Sequence, residues 1–355
     1  MKMKALIDKL RDTTQLTKEE WMQLIDGRTP ELAEYLFEQA RAVRTKHYGT
    51  AVYVRGLIEF TNYCKNDCYY CGIRKSNAKA VRYRLSKDEI LACCEKGYAL
   101  GFRTFVLQGG EDGYYTDDRM VEIISAIKAS YSDCAITLSI GEKSYESYRR
   151  FREAGAERYL LRHETYDAAH YGRLHPEGLS AEHRQQCLWD LKALEYQVGA
   201  GFMVGSPYQT IEHLADDLLF LKELNPQMVG IGPFIPHCDT PFAKESAGTL
   251  ELTLFLLGAI RLMLPKVLLP ATTALGTIQE NGRELGILAG ANVVMPNLTP
   301  ELVRGNYLLY NNKICTGEEA AEGCQLLRER MKQIGYEVVI GRGDSLNIAR
   351  GKENV

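Results

Sequence analysis

The 355-residue chain carries 43 basic and 46 acidic side chains, with 45% hydrophobic and 25% charged residues, which is ordinary globular usage and excludes a disordered or fibrous chain. A formal net charge of −3 supplies no global positive field for nucleic acid or anionic lipid. The uncharged run Leu224 to Cys238 holds prolines and falls short of the ~18 apolar residues of a spanning helix, so a soluble cytoplasmic protein with a small-molecule or protein partner is expected.

In chain order, MKMKALIDKLRDTTQL reads as an amphipathic helix with acidic residues rather than a leader with an unbroken apolar core. Thr17 and Glu20 have capping-box spacing, and residues 1–50 are expected to form an N-terminal helical extension. Short apolar runs then recur, beginning at Val52, Thr104, Ala135, Arg158, Val198, Met228, Val267 and Asn292, each separated from the next by a helix-like stretch. Ser86 with Glu89, Asp117, Ser144 and Ser180 mark the starts of intervening helices. This alternation predicts an α/β fold, a (β/α)8 TIM barrel over residues 51–300 whose N-terminal end the first helices cover. A doubly wound open sheet is the alternative, but the expected glycine-rich turn after the first strand is replaced by a cysteine cluster. Residues 301–355 are expected to pack on the barrel as a C-terminal helix, within CTGEEAAEGCQLLRERMKQIG, and a tail.

Ten cysteines are too sparse for a disulfide scaffold in a chain of this length. Cys64, Cys68 and Cys71 stand in C-x3-C-x2-C spacing on the loop after the first strand, and barrel active sites form on such loops. Three soft ligands on a short loop suit one corner of an iron-sulfur cube with an open iron, whereas a closed zinc site wants a fourth ligand and the loop has no His. A structural zinc loop is the competing reading. Cys93, Cys94, Cys134 and Cys187 read as small core residues, His163 as a packing residue, and Cys238 is left open.

The loop FTNYCKNDCYYCGIRKSN, with Tyr70 just before the last cysteine, resembles that of the radical S-adenosylmethionine (SAM) enzymes, and the resemblance runs along almost the whole chain. It implies a 4Fe-4S cluster on Cys64, Cys68 and Cys71 whose open iron chelates SAM and, once reduced, cleaves it to a 5′-deoxyadenosyl radical. It further implies that Gly109, Gly110 and Glu111 of LQGGED meet the methionine amino group, Glu164 of RHET the ribose hydroxyls and Arg184 the methionine carboxylate. Tyr70, Ser139, Met203 and Ile231 fall among the remaining cofactor contacts. A cluster carrier without catalysis is the alternative of a different class, and it has no use for Glu111, Glu164 or Arg184.

The blocks VRGLIEFTNYCKNDCYYCGIR, QGGED, RYLLRHET, MVGSPYQT, MVGIGPFIPH, PATTALGT and GANVVMPN are similar to the HydE-type FeFe-hydrogenase maturases, in a fold group that includes methylornithine synthase and biotin synthase. That resemblance implies anaerobic assembly of the di-iron subcluster of FeFe-hydrogenase on a small organometallic or amino-acid-derived substrate. It also implies the partners HydG and HydF and an electron donor such as ferredoxin or flavodoxin. Arg162, Thr272, Thr273 and Tyr307 match the substrate cavity. A methylornithine synthase-like rearrangement of lysine is the alternative within the superfamily. Some members carry a second cluster on three C-terminal cysteines; here Cys315 and Cys324 cannot complete that motif, and no auxiliary cluster is expected.

Overall fold

Aliphatic runs punctuated by capped helices build a ring of parallel strands. The computed structural model describes residues 2–314 and 320–347. Its strands are Ala51–Val54 (β1), Gly56–Thr61 (β2), Thr104–Gly109 (β3), Ala135–Ser139 (β4), Ala156–Leu160 (β5), Gln197–Ala200 (β6), Met203–Val204 (β7), Met228–Val229 (β8), Gly232–Pro233 (β9), Val293–Val294 (β10) and Glu337–Val339 (β11). β2, β3, β4, β5, β6 and β8 pair in that order, all parallel, with Ile58 opposite Leu107 and Leu107 opposite Leu138. Every residue of β2 is buried, as expected of a strand covered on both faces. β7 and β9 pair as short continuations of β6 and β8.

Single bridges close the ring: Leu268 meets Met228, Pro270 meets Val293, and Asn297 meets Leu57, while β10 pairs with β1. The run from Val267 therefore holds the seventh barrel position without a ladder, because Pro270 has no N–H to give. The first run is likewise divided at Arg55 into β1 and β2. Helices begin largely where expected, with Ser86, Ser144 and Ser180 as caps, although Thr116 rather than Asp117 caps Asp117–Ser130. No helix among the described residues is long and apolar enough to cross a membrane.

Helices Lys2–Thr13, Lys18–Asp26 and Pro30–Tyr48 lie along the barrel's flank, against Ile211–Leu224 and Leu250–Met263. Lys18 Nζ reaches Glu212 and Asp216 at 2.9 Å, and Arg28 Nε reaches Glu251 at 3.0 Å. The start of the strands, which these helices were expected to cover, is filled instead by the tail. There β11 adds parallel to β1, and Asp344 Oδ1 accepts from Arg158 Nη2 and Gln197 Nε2, both at 2.7 Å. Arg158 is fully buried, so Asp344 supplies the countercharge that its burial requires. The strand in the tail was not foreseen. Cys93, Cys94, Cys134, Cys187 and Cys324 are buried, and Cys315 lies outside the described residues.

Candidate functional site

The cysteine loop leaves β2 at the C-terminal ends of the strands and is fixed along its length. Asn62 Nδ2 donates to Val81 O and Asn306 O at 2.7 Å, Tyr69 N to Leu174 O at 3.0 Å and Gly72 N to Leu309 O at 2.9 Å. Arg82 donates to four carbonyls of this segment, those of Asn62, Ile73 (2.8 Å), Arg74 (2.6 Å) and Asn77 (3.3 Å). One guanidinium thus gathers both ends of the loop.

Cys64, Cys68 and Cys71 are partly exposed. Burial of the sulfur atoms raises all three thiols, with neighbouring thiolates adding for Cys68 and Cys71, and Cys71 is pushed up to about 12. Thiols of this kind become ligands when a metal displaces the proton. Three cysteine sulfurs on one short loop are a donor set that iron-sulfur clusters use. Among the described residues, the one trio of metal-type ligand atoms within 4.8 Å of one another is His237, Cys238 and Asp239. In the His237 trio, Asp239 is held by Lys79 Nζ at 2.6 Å and Asp239 N donates to His237 Nδ1 at 3.1 Å, so its groups are already engaged.

Behind the loop, His175 Nδ1 donates to Tyr171 O at 2.9 Å, which leaves Nε2 to accept from the Tyr70 hydroxyl at 3.1 Å. Burial pushes His175 down to about 3, so the ring stays neutral and locks Tyr70 in place. The β3 end approaches from the other side. A side chain on Gly110 would strike Tyr63 O and Cys64 Cβ, so this glycine lets strand and loop meet and does not line the cavity. Glu111 Oε2 lies 3.1 Å from Lys65 Nζ, and Oε1 accepts from Glu142 N at 3.1 Å. Gly141 has φ +76, and a Cβ there would occupy the space of the Glu111 carboxyl.

Arg184 sits 3.3 Å from Glu142 and 4.0 Å from Glu111, yet its buried Nε and Nη1 have no hydrogen-bond acceptor. A buried guanidinium in that state is costly unless a ligand completes it. Glu164 adopts φ +67, a left-handed conformation costing a non-glycine residue about 1 kcal/mol or more. Hydrogen bonds from Glu164 N to Gly201 O (3.1 Å) and from Met203 N to Glu164 O (3.3 Å) hold it there, and Arg162 Nη2 binds its carboxylate at 2.8 Å. Backbone strain here is spent on aiming one carboxylate.

Part of this set surrounds a cavity of about 320 Å³. Tyr70, Cys71, Gly109, Ser139, Arg162, Glu164, Arg184, Met203, Thr272, Thr273 and Tyr307 line it, bringing together most of the residues that the sequence singled out. Cys64, Cys68 and Glu111 do not line it, and Ile231 is fully buried in the apolar core. Thr272 Oγ1 is buried without a partner. Reasoning from sequence missed Gln108, Gly141, Glu59 and Lys313 on the same wall. Lys313 Nζ binds Glu59 Oε1 at 2.5 Å and Tyr307 O at 2.9 Å, and Asn297 Nδ2 binds Glu59 Oε2 at 2.9 Å, so a β2 carboxylate holds the segment 307–313 over the cavity. An acid inside the apolar run GLIEFT was the available signal for Glu59.

Residues 58–221 match the radical SAM superfamily. The [FeFe] hydrogenase maturase subunit HydE of Thermotoga maritima is 45% identical over 316 residues, 89% of this chain and 90% of that protein. A 3-methylornithine synthase of Methanosarcina acetivorans is 30% identical over 334 residues, 93% and 92% of the two chains. The crystal structure of methylornithine synthase superposes with a TM-score of 0.81 at 28% identity, covering 94% of this chain and 97% of that one.

Proposed function

This chain belongs to the radical SAM superfamily and is an enzyme of the hydrogenase-maturase type, and on that footing we propose that it acts in assembly of the di-iron subcluster of FeFe-hydrogenase. Cys64, Cys68 and Cys71 hold a 4Fe-4S cluster, and Arg184, Glu111 and Glu164 hold SAM beside it. When bound, the pair supplies reductive cleavage of the sulfonium to a 5′-deoxyadenosyl radical. The observation that carries this reading is Arg184, a buried guanidinium that lines the same cavity as Cys71, whose Nε has no hydrogen-bond partner and whose Nη1 has an ion pair to Glu142 but no hydrogen bond.

The side chains divide the work. Arg184 takes the methionine carboxylate, for which a guanidinium is suited by its fork geometry. Glu111 takes the ammonium, exchanging Lys65 for it, while Glu164 accepts from the ribose hydroxyls at the orientation its backbone fixes. Gly109, Ser139 and Met203 border the adenosine side, and Tyr70 backs the cluster loop. Arg162, Thr272, Thr273 and Tyr307 receive the substrate, a small organometallic or amino-acid-derived molecule, with hydroxyls and a guanidinium that suit an anionic group. HydG and HydF are the partners on either side of the step, ferredoxin or flavodoxin the electron source, and the cytoplasm the location.

Anaerobic maturation of apo FeFe-hydrogenase with HydG and HydF present, this protein as the single variable and hydrogen evolution as readout, tests the proposal. Hydrogen that depends on this protein and on SAM is the expected result. Full SAM cleavage without hydrogen would overturn it in favour of a lysine rearrangement. That second reading draws on the methylornithine synthase superposition, which spans nearly both chains.

A further inference from the structure

Helix Ile211–Leu224 buries Leu214, Leu218 and Leu221 along one stripe, and an acid stands within that stripe. Asp217 is fully buried, as is His163 beside it, and no step assigned above uses either. An aspartate is costly at this position. Its Oδ2 has no hydrogen-bond partner, whereas a leucine would continue the stripe without that penalty. Stability alone therefore does not explain the acid.

The other oxygen does. Asp217 Oδ1 accepts from the Tyr166 backbone N at 2.7 Å and from His163 Nε2 at 3.2 Å. Gly201 N donates to His163 Nδ1 at 3.4 Å, which leaves the ring proton on Nε2 and makes Nε2 the donor. Burial pushes His163 down to about 3, so the ring is neutral. Phe220, from the same helix as Asp217, closes on both sides of this junction, with ring centroids 4.9 Å from His163 and 5.2 Å from Tyr166. One oxygen thus grips the chain immediately before Glu164 and again at Tyr166, just beyond it. Between the two grips Glu164 is held at φ +67. Its own peptide groups bind Gly201 O and Met203 N, but those bonds do not fix the turn that follows. A left-handed residue persists only where its surroundings over-determine it.

We propose that Asp217 is a positioning residue for the ribose of the cofactor: by tying His163 and Tyr166 to one oxygen, it keeps Glu164 in the conformation that presents its carboxylate to the cavity. This deepens the SAM reading above and rests on it. The role belongs to the Oδ1 acceptor, which asparagine keeps and leucine removes.

The test is calorimetric binding of three probes to the reconstituted full-length protein: SAM, its analogue lacking both ribose hydroxyls, and decarboxylated SAM. The wild type should prefer SAM over the dideoxy analogue by at least about tenfold, since hydrogen bonds to a charged acceptor are strong. In Asp217→Leu that preference should fall below about threefold, while Asp217→Asn keeps it. The preference for SAM over decarboxylated SAM should be the same in all three proteins, because Arg184 lies on another element. An Asp217 that served only the fold would weaken all probes alike and leave the ribose preference unchanged, which would overturn the proposal. Asparagine no better than leucine would overturn it too. Should Asp217→Leu not fold, His163→Phe decides, since it keeps a ring against Phe220 and deletes one donor: a ribose preference lowered by at least about threefold supports the clamp and an unchanged one overturns it. A wild type that binds SAM and the dideoxy analogue equally removes Glu164 from the ribose and the proposal with it. A wild type that binds no SAM would instead overturn the radical SAM reading before any variant is compared.

Discussion

Deleting the Lys313 ammonium while keeping the Glu59 carboxylate tests how the segment over the cavity is held. The two side chains are 6% and 1% exposed and lie 2.5 Å apart. Lys313→Met preserves most of the stem volume and removes the charge. Glu59 then retains Asn297 Nδ2 at 2.9 Å as its remaining side-chain donor, and an uncompensated buried carboxylate costs about 3–5 kcal/mol. Urea unfolding of the metal-free, reduced protein should therefore show a loss of about 3–5 kcal/mol. Adding Glu59→Gln should restore most of the stability, since replacing both members of a buried pair is close to neutral. A loss below about 1 kcal/mol would refute the reasoning.

Gly141→Ala should destabilise the fold by about 2 kcal/mol, combining left-handed strain with overlap on Glu111; calorimetric titration should show weakened SAM binding, and unchanged affinity would remove Glu111 from the SAM site. His175 has a folded-state pKa of about 3, below the unfolded value. The unfolded chain thus takes up the proton first, so the stability it contributes is complete above pH 6.5 or so and about 2 kcal/mol is lost by pH 5. His175→Gln should flatten that part of the pH profile, measured by urea midpoints, and an unchanged slope counts against a neutral buried ring. Arg184→Ala should abolish 5′-deoxyadenosine formation while leaving iron content intact, an outcome that a mere cluster carrier would not produce. Iron analysis should return a single cluster per chain, and two clusters would show that Cys315 and Cys324 take part in a second.

Much of the barrel was legible because each strand position carries its own aliphatic run and each helix its own cap. The seventh position was legible as hydrophobicity but not as a ladder, since Pro270 silences a donor that hydropathy does not register. The strand Glu337–Val339 is three residues of no distinctive period, made a strand by the β1 edge beside it. The residues proposed to hold the cofactor stood out in short blocks such as QGGED and RHET. Glu59 with Lys313 was not, because its meaning lies in a partner 254 residues away. Gly110 and Ile231 illustrate the converse. Both stand inside recognisable blocks, yet one serves the contact between strand and loop and the other serves packing.

The tail seated across the strand starts gives the barrel the plan of a blind alley. Leu57, Leu160 and Met295 contribute to the wall of the cavity, and Arg158 with Asp344 belongs to the closed end, where Arg342 O also accepts from Thr104 Oγ1 at 2.8 Å. With that end shut, access to the cavity is left to the opposite rim, where the segment 307–313 that Glu59 holds lies across it.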